Sequence, residues 1–268
     1  MSRSKAGVDL IDLMDAHAQM RPSSKPTWGA VSDFTEDTKM SNFGLEDGGC
    51  PSGMVPIRRA SDDDRIQAQM LSKIYAPSIH PLSARPEPGT HYAIVQTKTG
   101  PGFIKYHGVG ANISVYSPPV VRSQYTLGHI RLQDGSESTQ VGWMDLVNGN
   151  WWLEVSNGSD FKKVGFWPKI FFSGLAEPAP YAACGGITYG KPGELDPPMG
   201  AGYYPVKDTR FDAYCANIAI VNQQYKFVSV HVEEFADTDA YRVKDKGIRR
   251  SFGHLAYFGS PGGRPSSL

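Results

Sequence analysis

From residue 149 to residue 175 the chain reads GNWWLEVSNGSDFKKVGFWPKIFFSGL, a dense run of apolar bulk with three of its five tryptophans. Trp151, Leu153 and Val155 alternate with Trp152 and Glu154, the two-residue period of a strand with two distinct faces. The step Asn157-Gly158 reads as a tight hairpin turn, and Phe161, Val164 and Phe166 as the returning strand. Beyond Trp167 the period changes. Ile170, Phe171 and Leu175 stand at helical spacing behind Pro168, which the first turn of a helix accepts, so the pattern predicts hairpin and then one short helix.

Strand patterns recur over residues 92–97, 111–116, 124–131, 140–146, 218–222 and 226–234. Apart from the short helix after Trp167, helical spacing is confined to the N-terminal third. A weak helix is predicted over 8–20 from Leu10, Ile11, Met14 and Ala18. A stronger one is predicted over 61–75. There Ser61 can cap, Asp62, Asp63 and Asp64 suit the positive helix start, and Ile66, Met70, Leu71 and Ile74 share one face before Pro77. Residues 76–89 carry four prolines, too many for a sheet, and mark a boundary. The chain thus divides into a small, partly helical region, 1–85, and a mostly β domain, 86–268. Many short strands separated by turn signals predict an antiparallel β-sandwich for the second.

Composition narrows the function. Hydrophobic residues at 40% and charged residues at 20% describe a folded globular chain. Lys plus Arg equals Asp plus Glu at 27 each, which gives no electrostatic reason to expect nucleic acid or an anionic membrane as partner. No apolar run approaches membrane-spanning length, and the first residues lack the continuous apolar core of a signal peptide. Cys50, Cys184 and Cys215 are odd in number and scattered, so no disulfide or zinc framework is expected; Cys184 and Cys215 read as small buried hydrophobes. The seven histidines show no metal-ligand spacing, and neither a cofactor motif nor a Gly-x-Ser-x-Gly elbow is present. The basic run 242–250 reads as a solvated loop.

An ordered series of short pieces carries a family resemblance. GGCPSGMVPIRR over 48–59, ahead of the acidic-capped helix, resembles the activation peptide of the plant neprosin family. His91-Tyr92-Ala93, Gly110 to Tyr116 with Pro119-Val120, Ser123-Gln124, Gly142-Trp143, Gly149 to Leu153, Gly165 to Pro168, Gly185-Gly186, Met199 to Gly202 and Tyr257 to Gly263 follow in order and resemble the neprosin peptidase domain. The resemblance implies a secreted glutamic peptidase, extracellular or vacuolar, that cuts after proline at acid pH. Its fold would be a sandwich of two antiparallel sheets, its N-terminal region removed on activation, with a peptide or proline-rich protein as partner and no cofactor or metal. Such chemistry needs two facing carboxyl groups, one to take a proton from the attacking water and one to donate a proton.

Both positions that the resemblance assigns to these carboxyls differ here. Gln140, two residues before Gly142-Trp143, stands at the first, and Ile187, directly after Gly185-Gly186, at the second. An amide can hold water but exchanges no proton at useful pH, and an isoleucine can do neither. Glu137, three residues from 140, falls on the other face of a strand, and Glu194 lies in the loop 191–198. The long multi-stranded segment implied between Gly-Trp and Gly-Asn-Trp-Trp is reduced to residues 144–148, which implies either a smaller, rearranged sandwich or a splice form or gene model missing internal sequence. Three functions follow as expectations: a peptidase relative without proteolysis; an active post-proline peptidase using another carboxylate pair; or a non-catalytic binder of proline-rich or glycan ligands, with Trp143, Trp151 and Tyr203 as candidate contacts.

Overall fold

The computed structural model describes residues 3–6, 9–15, 54–58, 88–100, 104–121, 123–135, 137–139, 142–145, 148–157 and 160–263. The chain separates into two compact units, Met1–Ile74 and Tyr75–Leu268. The first contains an antiparallel sheet in the order β1 (Arg3–Ala6), β2 (Asp9–Asp15), β3 (Met54–Arg58). Over Asp9–Asp15 the helix expected for 8–20 is therefore corrected to a strand. The run DLIDLMD satisfies either period, and pairing on both sides with β1 and β3 supplies the backbone partners that select the extended form. The helix expected over 61–75 lies outside the described residues.

Among the described residues, the second unit has thirteen strands, β4 (Thr90–Thr97), β5 (Gly108–Ile113), β6 (Tyr125–Asp134), β7 (Glu137–Thr139), β8 (Gly142–Met144), β9 (Trp151–Asn157), β10 (Asp160–Trp167), β11 (Tyr181–Tyr189), β12 (Ala213–Val221), β13 (Phe227–Val228), β14 (Val232–Ala236), β15 (Arg242–Arg249) and β16 (Gly253–Gly259). They form a five-stranded sheet, β14-β4-β11-β6-β7, and an eight-stranded sheet, β10-β9-β8-β5-β12-β16-β15, with β13 also paired to β12. All pairings are antiparallel. The expected antiparallel β architecture is what the unit shows.

The core lies between the sheets. Val95, Ile130, Leu132 and Cys184 from the smaller sheet join Val109, Trp151, Cys215 and Phe258 from the larger in one apolar cluster. Each fully buried large aliphatic or Phe side chain contributes about 1.5–3 kcal/mol relative to exposure. Cys184 on β11 and Cys215 on β12 are joined by a disulfide that ties one sheet to the other. This corrects the reading of these cysteines as unpaired hydrophobes. Spacing along the chain carried no sign of the pair, because the two strands meet only across the sandwich.

The aromatic hairpin forms as β9 and β10, with Asn157 paired to Asp160 at its tip. The helix expected after it does not. Lys169–Phe171 makes one 3-10 turn, Ile170 and Phe171 project into solvent, and only Leu175 is buried. The shortened segment after Gly142-Trp143 is closed by a second hairpin. Met144 pairs with Trp151 and Trp143 with Trp152. In the turn Asp145 accepts the Asn148 N–H at 2.6 Å and the Trp152 indole N–H at 3.1 Å. No additional strands are needed there, because β8 and β9 satisfy one another's ladder directly.

Of the strand expected over 140–146, residues 142–144 form β8, paired with β5 and β9. The pattern expected as one strand over 226–234 is divided between the sheets: β13 pairs with β12, whereas β14 pairs with β4. The basic run expected as a loop is β15, whose charged side chains guard a sheet edge. At the centre of the smaller sheet, β11 carries Gly185-Gly186, a pair that weakens a strand signal. Both glycines have steric reasons: a Cβ on Gly185 would collide with the β4 backbone at Ala93, and one on Gly186 with Met199 and Phe258.

Candidate functional site

Side chains alternate along β11. Ala182 and Cys184 enter the inter-sheet core, and Tyr181, Ala183 and Ile187 form a second cluster with Tyr92 and Ile94 on the opposite, outer face of the five-stranded sheet. Register identifies the rest of that face, since residues directly opposite one another point the same way. Ile187 stands between Tyr92 and Leu127, Gly185 between Ile94 and His129, and Ala183 between Gln96 and Arg131. Glu233 on the edge strand β14 lies opposite Gln96.

Ile187 is 2% exposed and packs among Tyr92, Ile94, Tyr181 and Ala183, with Tyr125 and Phe235 at the margin. Around this apolar centre the face is polar and buried. The Tyr181 hydroxyl donates to Gln96 Oε1 at 2.9 Å, and Gln96 Nε2 donates to Glu233 Oε1 at 3.2 Å. Arg131 Nη2 donates to Ser138 Oγ at 3.3 Å. Burial pushes the Tyr181 phenol far above its ordinary pKa. Burial, with the Arg131 charge adding to it, lowers His129 to about 3 against a hydrogen bond with the Gly185 backbone. His129 is therefore neutral, with a buried Nδ1 that finds no partner among the described residues. Among the described residues, Glu233 is the carboxylate that this register places on the outer face.

The other carboxylates weighed from sequence are committed elsewhere. Glu137 accepts the Ser173 N–H at 2.7 Å and the Leu175 N–H at 2.9 Å, anchoring the loop after the 3-10 turn. Burial opposes ionisation of Glu137, but these backbone donors outweigh it and hold its pKa below the ordinary value. Glu194 accepts the Ser123 hydroxyl at 2.9 Å. Gln140 lies outside the described residues. Of the three aromatics expected as ligand contacts, Trp151 is fully buried in the inter-sheet core, donating its indole N–H to Leu175 O at 2.6 Å. Trp143 is buried on β8, stacked on Trp152 with centroids 6.5 Å apart. Tyr203 keeps an exposed ring and donates its hydroxyl to the Phe211 carbonyl. The structure does not bring the three together on one surface: two are packing residues.

Sequence reasoning missed a buried acid–base cluster at the start of β4. His91 Nδ1 lies 2.7 Å from Asp237 Oδ2, its Nε2 3.5 Å from Asp196 Oδ1, and its ring stacks on Tyr241 at 5.2 Å. Asp237 also accepts the Tyr92 N–H at 2.6 Å. Burial lowers the His91 pKa, but the Asp237 hydrogen bond and the charges of Asp237 and Asp196 outweigh it and hold the imidazole above its ordinary value. The partners come from positions 91, 196 and 237, so no local spacing announces them. Among the described residues no group of three or more His, Cys, Asp or Glu is placed to hold a metal ion.

A family model described as Neprosin matches residues 101–261, more than half of the 268-residue chain. The chain belongs to the neprosin family. No curated protein matches it. Membership gives the outer face its interest: the position after Gly185-Gly186, to which the resemblance assigned an acid, is the centre of this neprosin sheet and is occupied by Ile187.

Proposed function

We propose that this neprosin-family chain is a peptidase by descent that has lost post-proline proteolysis and keeps the sandwich as a peptide-holding scaffold. The observation that carries the reading is Ile187, seated in an apolar cluster at the middle of the outer face where a proton-transferring carboxyl would be needed. The inter-sheet disulfide supports an oxidising, exported location, extracellular or vacuolar, where such bonds persist. A proline-rich peptide or a glycan is the ligand class that the exposed Tyr203 ring supports, since aromatic faces dock such ligands.

The test is hydrolysis of a fluorogenic proline-containing peptide at acid pH, comparing the unaltered chain with the Gln140→Glu, Ile187→Glu double variant. No cleavage by the unaltered chain is the expected result. Cleavage that follows the protein through purification would overturn the reading. Glu233→Gln then distinguishes the alternative, because Glu233 is hydrogen-bonded to a buried amide on the same face. Loss of cleavage in that variant would make the chain a peptidase with a different carboxylate pair.

A further inference from the structure

A complete proton relay stands away from the outer face, where residues 229–231 cross from β13 in one sheet to β14 in the other. Ser229 is exposed, and its Oγ lies 3.4 Å from His254 Nδ1. His254 is on β16, with a side chain only 6% exposed, and its Nε2 lies 2.9 Å from Asp245 Oδ1 on β15. Asp245 is itself fixed, accepting the Gly247 N–H at 2.8 Å across the β15 bulge. A carboxylate on Nε2 selects the tautomer that carries its proton there, leaving Nδ1 as a lone-pair acceptor facing the serine hydroxyl. That is the order of roles a hydroxyl nucleophile needs: nucleophile, base, orienting acid. A distance of 3.4 Å suits a resting site, since such bonds are often loose before substrate arrives.

The surroundings supply a place for substrate. Ser229 lines a groove of about 460 Å³ whose walls include Ile104, Tyr106, Ile220, Val228 and Val230, within the roughly 300–1,000 Å³ of small-molecule sites.

We propose that Ser229, His254 and Asp245 form a serine acyl-transfer site acting on carboxylic esters with an apolar acyl chain. Ser229 Oγ bonds to the ester carbonyl carbon while its proton passes to His254 Nδ1. The carbonyl electron pair moves to the oxygen and returns as the ester C–O bond breaks. His254 gives its proton to the departing alkoxide, leaving alcohol and an acyl-serine. Water then repeats the sequence: His254 takes its proton, and Ser229 Oγ leaves reprotonated with release of the carboxylic acid. Asp245 is a positioning residue that orients the ring and stabilises the imidazolium. The site shares no residue with the outer face, so it stands or falls independently of the loss of proteolysis.

The test is labelling of the whole chain with a fluorophosphonate, located by peptide mass mapping, beside hydrolysis of p-nitrophenyl butyrate. The expected result is an adduct on Ser229, absent in Ser229→Ala, with hydrolysis in that variant falling by about 10²–10⁴-fold. Ser229 is exposed, so its replacement leaves the fold intact, which a melting curve verifies. Asp245→Asn should slow labelling of Ser229 without removing the serine. No adduct on Ser229, or hydrolysis unchanged in Ser229→Ala, would overturn the proposal. So would labelling at the same rate in His254→Asn and Asp245→Asn chains that melt as the parent does.

Discussion

The two faces of the five-stranded sheet are built from alternate residues of the same strands and do opposite work. The inner face carries Ala182 and Cys184, is sealed against the larger sheet, and is tied to it by the disulfide to Cys215. The outer face carries Tyr181, Ala183 and Ile187, ringed by His129, Arg131, Gln96 and Glu233. A pair of histidines makes the contrast chemical. His91, flanked by Asp237 and Asp196, has its pKa raised, whereas His129 has its pKa lowered to about 3. Burial lowers both; at His91 the Asp237 hydrogen bond and the neighbouring carboxylates outweigh it, while at His129 the Arg131 charge adds to it. One sheet thus holds a ring favoured as a cation by carboxylates at one end and a neutral ring where acid–base chemistry would call for a carboxyl.

The largest expected effect breaks the inner face. Replacing both Cys184 and Cys215 with alanine removes a crosslink closing a chain separation of 31 residues and should cost about 2–5 kcal/mol in urea denaturation. If the loss is under 1 kcal/mol, the core alone holds the sheets together. Next in size, Ile187→Ala should cost about 2–4 kcal/mol, as for a large buried aliphatic. Ile187→Glu should be destabilising at pH 7 and recover as pH falls and the buried carboxyl protonates. A pH-independent loss would mean that the outer face solvates the charge.

The pH dependence of stability sharpens the contrast between the histidines. His91 has a raised folded-state pKa, so its contribution is fully present below its unfolded value of 6.5 and is lost as pH rises through the folded value. His129 runs the other way: neutral when folded, it costs stability as pH falls from 6.5 toward about 3. His129→Gln should therefore flatten the acid side of the stability curve and leave the neutral side unchanged. His91→Gln should alter the neutral side. NMR titration of the two rings checks both directions, and a His129 resonance titrating near 6.5 would contradict its assigned environment.

Periodicity located most strands, because a half-buried strand must alternate and the Trp151 hairpin does so plainly. Family motifs pointed to Gly185, Gly186 and Ile187 before their strand was recognised. Other features could not be read that way. β11 is weakened as a pattern by its two glycines, whose value lies in what Ala93, Met199 and Phe258 would otherwise strike. Residues 226–234 alternate throughout, yet they change sheets at 229–231. Trp143 and Trp151 are candidate ligand contacts by residue type alone, and their position across β8 and β9 shows that both are buried.

What the chain's order of residues settles is local and one-dimensional: which segments alternate, where prolines and glycines interrupt them, and that an isoleucine follows Gly185-Gly186. What folding adds is pairing between residues far apart in the chain. Cys184 with Cys215, His91 with Asp196 and Asp237, and Ser229 with His254 and Asp245 are each brought together by strands that meet across or along the sheets. Hydrogen-bonding, redox and acid–base interactions act over a few ångströms in space, whatever the separation along the chain. The chemistry of these groups is therefore a property of the sandwich, and the sequence records only their identities.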